Sequence, residues 1–304
     1  MDILILMSTY NGEKYLREQL DSIFAQTKVK VHLLVRDDGS SDSTIKIIKE
    51  YKEKYPGHID LMVGENIGWR KSFFLLADEA QSRYPSYEYF AFADQDDVWL
   101  PEKLTRALDM IRGLPESPQL YCSNVTRYKD GVTLGNLRNS AVTPSCKGCL
   151  IRNYATGCTM VFNRRMLDLV CQEFPQVTIA HDHWFYMVAC LCGSVIIDNA
   201  SFILYRIHEG NQIGFKSGFI EIWKRRLKSL HDLLNSHKRE SYAKELLRIH
   251  KDSMNNDSKN SVAKLACYRD SIKNRLAFLC DNEYTYNNRS NDFWLKLRIL
   301  FGKL

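Results

Sequence analysis

A chain of 304 residues with 45% apolar content is long enough to bury a sizeable core, as one large domain or a domain with an appendage. Its nine cysteines begin only at Cys122 and follow no regular framework, which excludes a secreted disulfide scaffold and points to a reducing, cytoplasmic setting. The net charge of +6 hides an asymmetry: residues 205–304 hold 20 Lys/Arg against 11 Asp/Glu, whereas residues 1–204 hold 22 against 25. An acidic front part and a basic tail imply two separate jobs.

Asp2 sits where a secretory signal needs basic charge, and the apolar run before Ser8 is too short for one. The longest uncharged stretch, Trp184 to Ile197, falls short of the roughly 18 apolar residues of a membrane span. The sequence therefore reads as soluble or peripheral.

In chain order, Ile3–Met7 is a continuous apolar run that predicts a buried strand. Glu13–Gln26 puts Leu16, Leu20, Ile23 and Phe24 on one helical face. A second strand at Val31–Val35 precedes a helix over Ser43–Tyr55, which Pro56-Gly57 ends. A third strand at Ile59–Val63 precedes a helix starting near Trp69, and a fourth at Tyr89–Ala93 stops at a cluster of acids. This β-α-β-α order predicts a largely parallel sheet flanked by helices, with ligands beyond the carboxyl ends of the strands.

From about Leu114 the pattern loosens. Asp130–Lys147 reads as loop, followed by a strand-like Thr159–Phe162, a helix from Arg164 and another beginning near His183. Val195–Ile197 and Phe202–Ile207 read as two strands, and basic helices run from Gly218 to the end.

The chemistry concentrates at the strand ends. Strand one ends in Ser8-Thr9-Tyr10-Asn11-Gly12, strand two in Asp37-Asp38-Gly39-Ser40-Ser41-Asp42, and strand four in Asp94-Gln95-Asp96-Asp97. Acids packed so closely repel unless a cation compensates them. For Asp37–Asp42 alone a solvated turn is the simpler expectation. Aspartates closing a buried strand instead suit a hard divalent ion that neutralises a departing diphosphate.

These motifs in this order, with Asn66-Ile67-Gly68 and the run Asp-Gln-Asp-Asp-Val-Trp-Leu-Pro-Glu-Lys, resemble the family 2 glycosyltransferases of the GT-A fold over roughly residues 1–210. The acid motif is most similar to bacterial rhamnosyltransferase-like members that build surface polysaccharides. The resemblance implies a metal-dependent, inverting transfer of a sugar, rhamnose among the candidates, from a UDP- or dTDP-linked donor. The acceptor is a hydroxyl on a saccharide or lipid-linked saccharide. It implies a catalytic domain over 1–215 and a basic helical extension over 216–304.

Residue by residue, Thr9 and Tyr10 match the loop that holds the donor nucleobase, and Asp38 the acid that contacts base or ribose. Asn11, Asn66 and Gln95, within the same motifs, join the donor-binding set. Asp94 and Asp96 match the Asp-x-Asp motif, with Asp96 the direct ligand of Mg²⁺ or Mn²⁺. Asp94 reaches the ribose or the metal's shell. Arg70 or Lys71 approaches the diphosphate, unless both merely start an exposed helix. His208 matches a further metal ligand or diphosphate contact. Asp182, in His181-Asp182-His183-Trp184, stands where the family carries its general base, the alternative being a helix cap. Thr156-Gly157-Cys158 is similar to the small-residue turn beneath the acceptor.

Cys146-Lys-Gly-Cys149 and Cys190-Leu-Cys192 add up poorly to a zinc site, because the second pair is too tight and lies in an apolar run. In the tail, Phe219, Trp223, Leu227, Leu230 and Leu234 share a helical face beside Lys224, Arg225, Arg226 and Lys228. Phe293, Trp294, Leu297, Leu300 and Phe301 repeat the pattern with Lys296, Arg298 and Lys303. Such faces suit an anionic membrane surface at the inner side of the cell membrane, or pack on the catalytic domain or a second subunit. Two rivals stand beside this reading. A sugar-nucleotide nucleotidyltransferase would want a Gly-rich basic loop after strand one, where Ser8–Glu13 supplies an aromatic and an acid. A nucleic-acid-binding protein leaves the acidic mouth unexplained.

Overall fold

The structure, a computed structural model, describes residues 1–113, 116–208 and 238–304. Among them, β1 (Asp2–Thr9), β2 (Lys30–Asp37), β3 (Ile59–Val63) and β4 (Tyr89–Ala93) pair in parallel in the order β3-β2-β1-β4. They alternate with α1 (Leu16–Phe24), α2 (Thr44–Lys54) and α3 (Trp69–Arg83). β5 (Val98–Trp99) and α4 (Lys103–Ile111) complete the front part. β1 to β4 and α1 to α3 are those the periodicity predicts, whereas β5 and α4 are not anticipated.

β1 is central, which is why it is apolar at every position from Ile3 to Met7. Alternate side chains of a strand point to opposite faces. Leu4 and Leu6 accordingly enter one core with Phe73 and Leu76 of α3, while Ile3, Ile5 and Met7 enter another with Leu20, Ile48 and Leu108 of α1, α2 and α4.

The region read as irregular holds more structure than its pattern predicts. β6 (Gln119–Lys129) is an 11-residue strand, and β7 (Val132–Asn136) returns along it through Asp130-Gly131, both at positive φ. Asp-Gly is a strong hairpin signal, since this turn needs the left-handed region at both residues. After α5 (Cys146–Ile151), the expected strand at Thr159–Phe162 divides into a 3-10 turn at Gly157–Thr159 and β8 (Val161–Asn163). α6 (Arg164–Val170) and α7 (His181–Cys192) follow. The two strands expected at 195–197 and 202–207 are one, β9 (Ser194–Arg206), with register shifts where it passes Cys122–Thr126. The polar Asp198-Asn199, which reads as a break, lies at that irregularity. The sheet order is β3-β2-β1-β4-β8-β6-β9-β5.

The C-terminal helices α8 (Lys238–His250), α9 (Asn256–Ala266), α10 (Ile272–Leu279) and α11 (Arg289–Leu300) do not form a separate body. Leu246, Val262, Leu265, Phe278, Leu295 and Ile299 join the same core as Leu4 and Leu6. On α11 the face turned inward is Leu295 and Ile299, whereas Phe293, Trp294, Leu300 and Phe301 of the expected apolar face are exposed. The boundary at 215–216, and the stripe Phe219–Leu234, lie outside the described residues. No described helix is long and apolar enough to cross a membrane.

Candidate active site

Parallel pairing carries the ends of β1, β2 and β4 to one edge, with Thr9 opposite Asp37 and Met7 opposite Ala93. The loops beyond them are tied together. Gln95 Oε1 accepts the Tyr10 N–H (2.8 Å), and its Nε2 donates to the Tyr10 carbonyl (3.0 Å). Gly12 makes room for this clip, since a Cβ there would lie 2.3 Å from Gln95 Oε1. Asn11, at φ 46°, accepts the Ser41 N–H on its side chain and donates its own N–H to Ser40 Oγ.

The Asp37–Asp42 loop is not a solvated turn, for Asp37 and Asp38 are buried. Asp37 takes the Thr9 hydroxyl (2.9 Å) and the Ser40 N–H and hydroxyl. Asp38 pairs with buried Arg36 and accepts N–H groups from Ile67 (3.0 Å) and Gly68 (2.8 Å). Arg36 also donates to the Glu65 carbonyl and Ser72. A buried Arg–Asp pair with its remaining lone pairs occupied is stable only as a unit, so Arg36 fixes the 65–68 loop against Asp38.

Behind the acid motif, the end of β9 supplies two clamps. Arg206 donates from Nε to the Asp96 carbonyl (2.8 Å), from its backbone N–H to Asp97 (3.2 Å), and pairs with Glu18. His208 Nε2 sits 2.7 Å from Asp96 Oδ2, its ring 5.0 Å from Tyr15. The structure therefore unites Asp96 and His208, which are 112 residues apart.

Across the mouth, α7 begins with Ala180 as its cap residue, so Asp182 lies inside the first turn rather than at the cap. Its carboxylate accepts the His183 N–H (2.7 Å). Burial pushes Asp182 up to about 6, against the opposing pull of that N–H, Asn153 and Arg70. Burial, with the charges of Asp96 and Asp182, pushes Asp94 up to about 7. The repulsion expected of these clustered acids is thus present.

Ser8, Tyr10, Asp38, Asn66, Asp94, Gln95, Asp96 and Asp182 line one cavity of about 400 Å³. Tyr10 and Asn66 are exposed in it. Thr9 is buried against Asp37, and Asn11 and Lys71 are exposed beyond the cavity lining. Arg70 lies over the Trp69 ring, 4.3 Å from its centroid.

Several lining or clamping residues carry no assignment in the sequence reading, Arg36, Trp69, His181 and Arg206 among them. Trp69 and His181 form one wall, with His181 buried between Phe73 (3.9 Å, stacked) and Phe92. Gly157 permits that approach, because a Cβ would lie 2.8 Å from His181 Nε2. Arg206 is adjacent in sequence to the lining residue Tyr205. Its signal was the Tyr205-Arg206-Ile207-His208 run, legible only once β9 is known to end at the acids.

Among the described residues one set of donors converges as a cation would need. Asp94, Asp97 and Cys158 have ligand atoms within 4.8 Å of one another. Burial and both aspartates hold the Cys158 thiol well above its ordinary value, and burial does the same to Asp97, which disfavours the charged forms of both. A neutral thiol is a poor partner for Mg²⁺ or Mn²⁺. Asp94 and Asp96 open onto the cavity, and His208 bonds to Asp96 from outside its lining. The two α5 cysteines donate instead to carbonyls, Cys146 to that of Cys190 on α7 (3.5 Å) and Cys149 to that of Cys146 (3.2 Å).

A mixed sheet with four parallel strands, whose acid-rich strand-end loops face Asp182 of α7 across one cavity, is the architecture of a GT-A glycosyltransferase. The chain belongs to glycosyl transferase family 2, whose pattern matches residues 4–170, and it is a sugar-transferring enzyme. It is 32% identical to dTDP-rhamnosyl transferase RfbG of Shigella flexneri over 72% of this chain and 77% of that one. Its fold is similar to that of S. aureus TarS 1-349 in complex with UDP, with TM-score 0.55 and 18% identity over 92% of this chain and 75% of that one. It is also similar to the mannosyltransferase PcManGT of Pyrobaculum calidifontis in complex with GDP-Man and Mn²⁺, with TM-score 0.50 and 16% identity over 98% and 85%. The nucleotidyltransferase and nucleic-acid readings find no support in these likenesses.

Proposed function

We propose that this enzyme is an inverting, divalent-metal-dependent glycosyltransferase that moves a sugar from a UDP- or dTDP-linked donor to a hydroxyl of a saccharide or lipid-linked saccharide in surface-polysaccharide synthesis. The likeness to RfbG favours rhamnose from dTDP. The observation that carries the reading is the opening of Asp94, Asp96 and Asp182 onto a single cavity, with His208 bonded to Asp96.

Tyr10 offers its ring to the nucleobase, in a loop held by Gln95. Asp38, pinned by Arg36, offers its remaining lone pair to base or ribose, with Asn66 beside it. Asp94, Asp96 and His208 are the residues to hold Mg²⁺ or Mn²⁺, which when bound supplies charge neutralisation for a departing diphosphate. Asp182 takes the proton of the acceptor hydroxyl as its oxygen bonds to the anomeric carbon and the bond from that carbon to the diphosphate breaks. Attack from the face opposite the leaving group inverts the anomeric centre. A base held near 6 is ionised at neutral pH yet basic enough to accept a proton in the transition state. Arg70, whose charge acts on Asp182, is available to the diphosphate or acceptor.

Incubation with dTDP-rhamnose, UDP-glucose and UDP-N-acetylglucosamine in Mn²⁺, with nucleoside diphosphate release measured and the product anomer assigned by NMR, tests the proposal. Inverted product from one donor is expected. Retained configuration, or no diphosphate release from any donor, would overturn it.

A further inference from the structure

α11 is apolar on two faces. Leu295 and Ile299 meet the core, yet Phe293 (59% exposed), Trp294, Leu300 and Phe301 (67%) point outward. A helix hydrophobic around its circumference normally has a second burial partner. The neighbouring α10 adds Ile272 (75%) and Leu276, so six of the large apolar side chains exposed among the described residues fall within 271–304. A groove of about 570 Å³ runs between the two helices, walled by Leu279, Phe293, Leu297 and Leu300. Contiguous apolar surface of this kind marks an interaction site.

The charges choose the partner. Residues 271–304 hold six Lys/Arg and three Asp/Glu, and each acid has a partner within the protein, although Glu283 itself is exposed. Asp281 pairs with Lys147 (3.1 Å) and Lys264 (2.8 Å), Glu283 with Lys147, and Asp292 accepts the N–H groups of Tyr286 and Asn288. Lys273 of α10 and Arg289 and Lys296 of α11 are exposed on the same two helices. An outward face of aromatics with a two-to-one excess of cations, its acids paired, matches an anionic bilayer. Trp and Phe settle at the headgroup level, and lysines meet negative lipid.

We infer that the α10–α11 face docks the enzyme on an anionic membrane, with Phe293, Trp294 and Phe301 inserted and Lys273, Arg289 and Lys296 against the headgroups. The surface adjoins the acceptor side of the cavity. Tyr286, three residues before α11, accepts from Arg152 on its carbonyl (3.0 Å), and Asn287 donates to the Tyr154 hydroxyl (3.3 Å). Between Arg152 and Tyr154 lies Asn153, which bears on Asp182. Docking there would deliver a lipid-linked hydroxyl close to the base. The inference takes its purpose from the transferase reading, but its test does not use sugar transfer, so either can fail alone.

The test is co-sedimentation of the full chain with phosphatidylcholine vesicles, with and without phosphatidylglycerol, in low and raised salt. Wild type should partition onto the anionic vesicles only, and less in salt. Phe293→Ser with Trp294→Ser, and separately Lys273→Glu with Lys296→Glu, should each weaken partition at least tenfold. Thermal stability should hold, because these side chains are exposed. Trp294 emission should shift to the blue on vesicle addition, a change lost in Trp294→Phe. No partition by wild type, or equal partition by the variants, would overturn the inference. So would a wild-type dimer in vesicle-free solution that the Phe293/Trp294 variant converts to monomer, which would assign the face to a second copy of the chain.

Discussion

Asp182 and Arg36 show how differently two charged residues enter one site. Asp182 is singled out by the family resemblance, and its burial raises it to about 6. Asp182→Asn should lower transfer by about 10²–10⁴-fold while leaving nucleoside diphosphate affinity intact, as steady-state kinetics and titration would show. In wild type, kcat/KM should fall as pH drops through about 6, because the base is then protonated. A profile flat from pH 5 to 8 would remove Asp182 from that role. Arg36 carried no sequence signal, being one basic residue at the end of an apolar strand, yet it holds Asp38, Ser72 and the Glu65 carbonyl. Arg36→Ala leaves Asp38 buried without its counter-charge and should cost about 3–5 kcal/mol in denaturant unfolding. Asp94→Asn should do the reverse in metal-free buffer. The raised Asp94 favours the protonated form in the folded state, so its contribution to stability is present at low pH and lost as pH rises through about 7. Above that value the Asn variant should melt higher by about 2–4 °C for each kcal/mol of repulsion removed.

Among the elements, those with one strong period were readable and those set by pairing were not. β1 to β4 announce themselves because each is apolar over its core length, and parallel pairing then fixes which loops meet. β6 and β9 were obscured because their polar middles, Asn124 and Asp198-Asn199, satisfy themselves with side-chain bonds at the register shifts. Asn124 Nδ2 donates to the carbonyls of Arg138 (2.8 Å) and Asn199 (3.3 Å). The Asp130-Gly131 hairpin was a signal in plain view. Once β9 is continuous, it delivers Arg206 and His208 to the acids, a placement that no local pattern contains. The loop after β1 depends on Gln95 in the same way. Gln95→Ala, or Gly12→Ala, which drives a Cβ into the Gln95 amide, should weaken nucleotide binding about tenfold, or about 1.4 kcal/mol, without unfolding the sheet. Calorimetric titration would check both, and unchanged affinity in both would detach the clip from donor binding.

At the scale of the whole molecule, the acidic front and basic tail read from composition become an acid-lined cavity and a helical layer that shares its core. The account's central claim is that the strand-end acids and His208 form a metal-dependent site for a nucleoside diphosphate. The most direct test follows thermal stability while UDP, TDP, GDP and CDP are titrated with and without Mn²⁺, in wild type and Asp96→Ala. A ligand that binds only the folded state raises apparent stability as its concentration exceeds its dissociation constant. The account predicts a rise with UDP or TDP that needs Mn²⁺ and vanishes in Asp96→Ala. A rise independent of both the metal and Asp96, or none with any diphosphate, would contradict it.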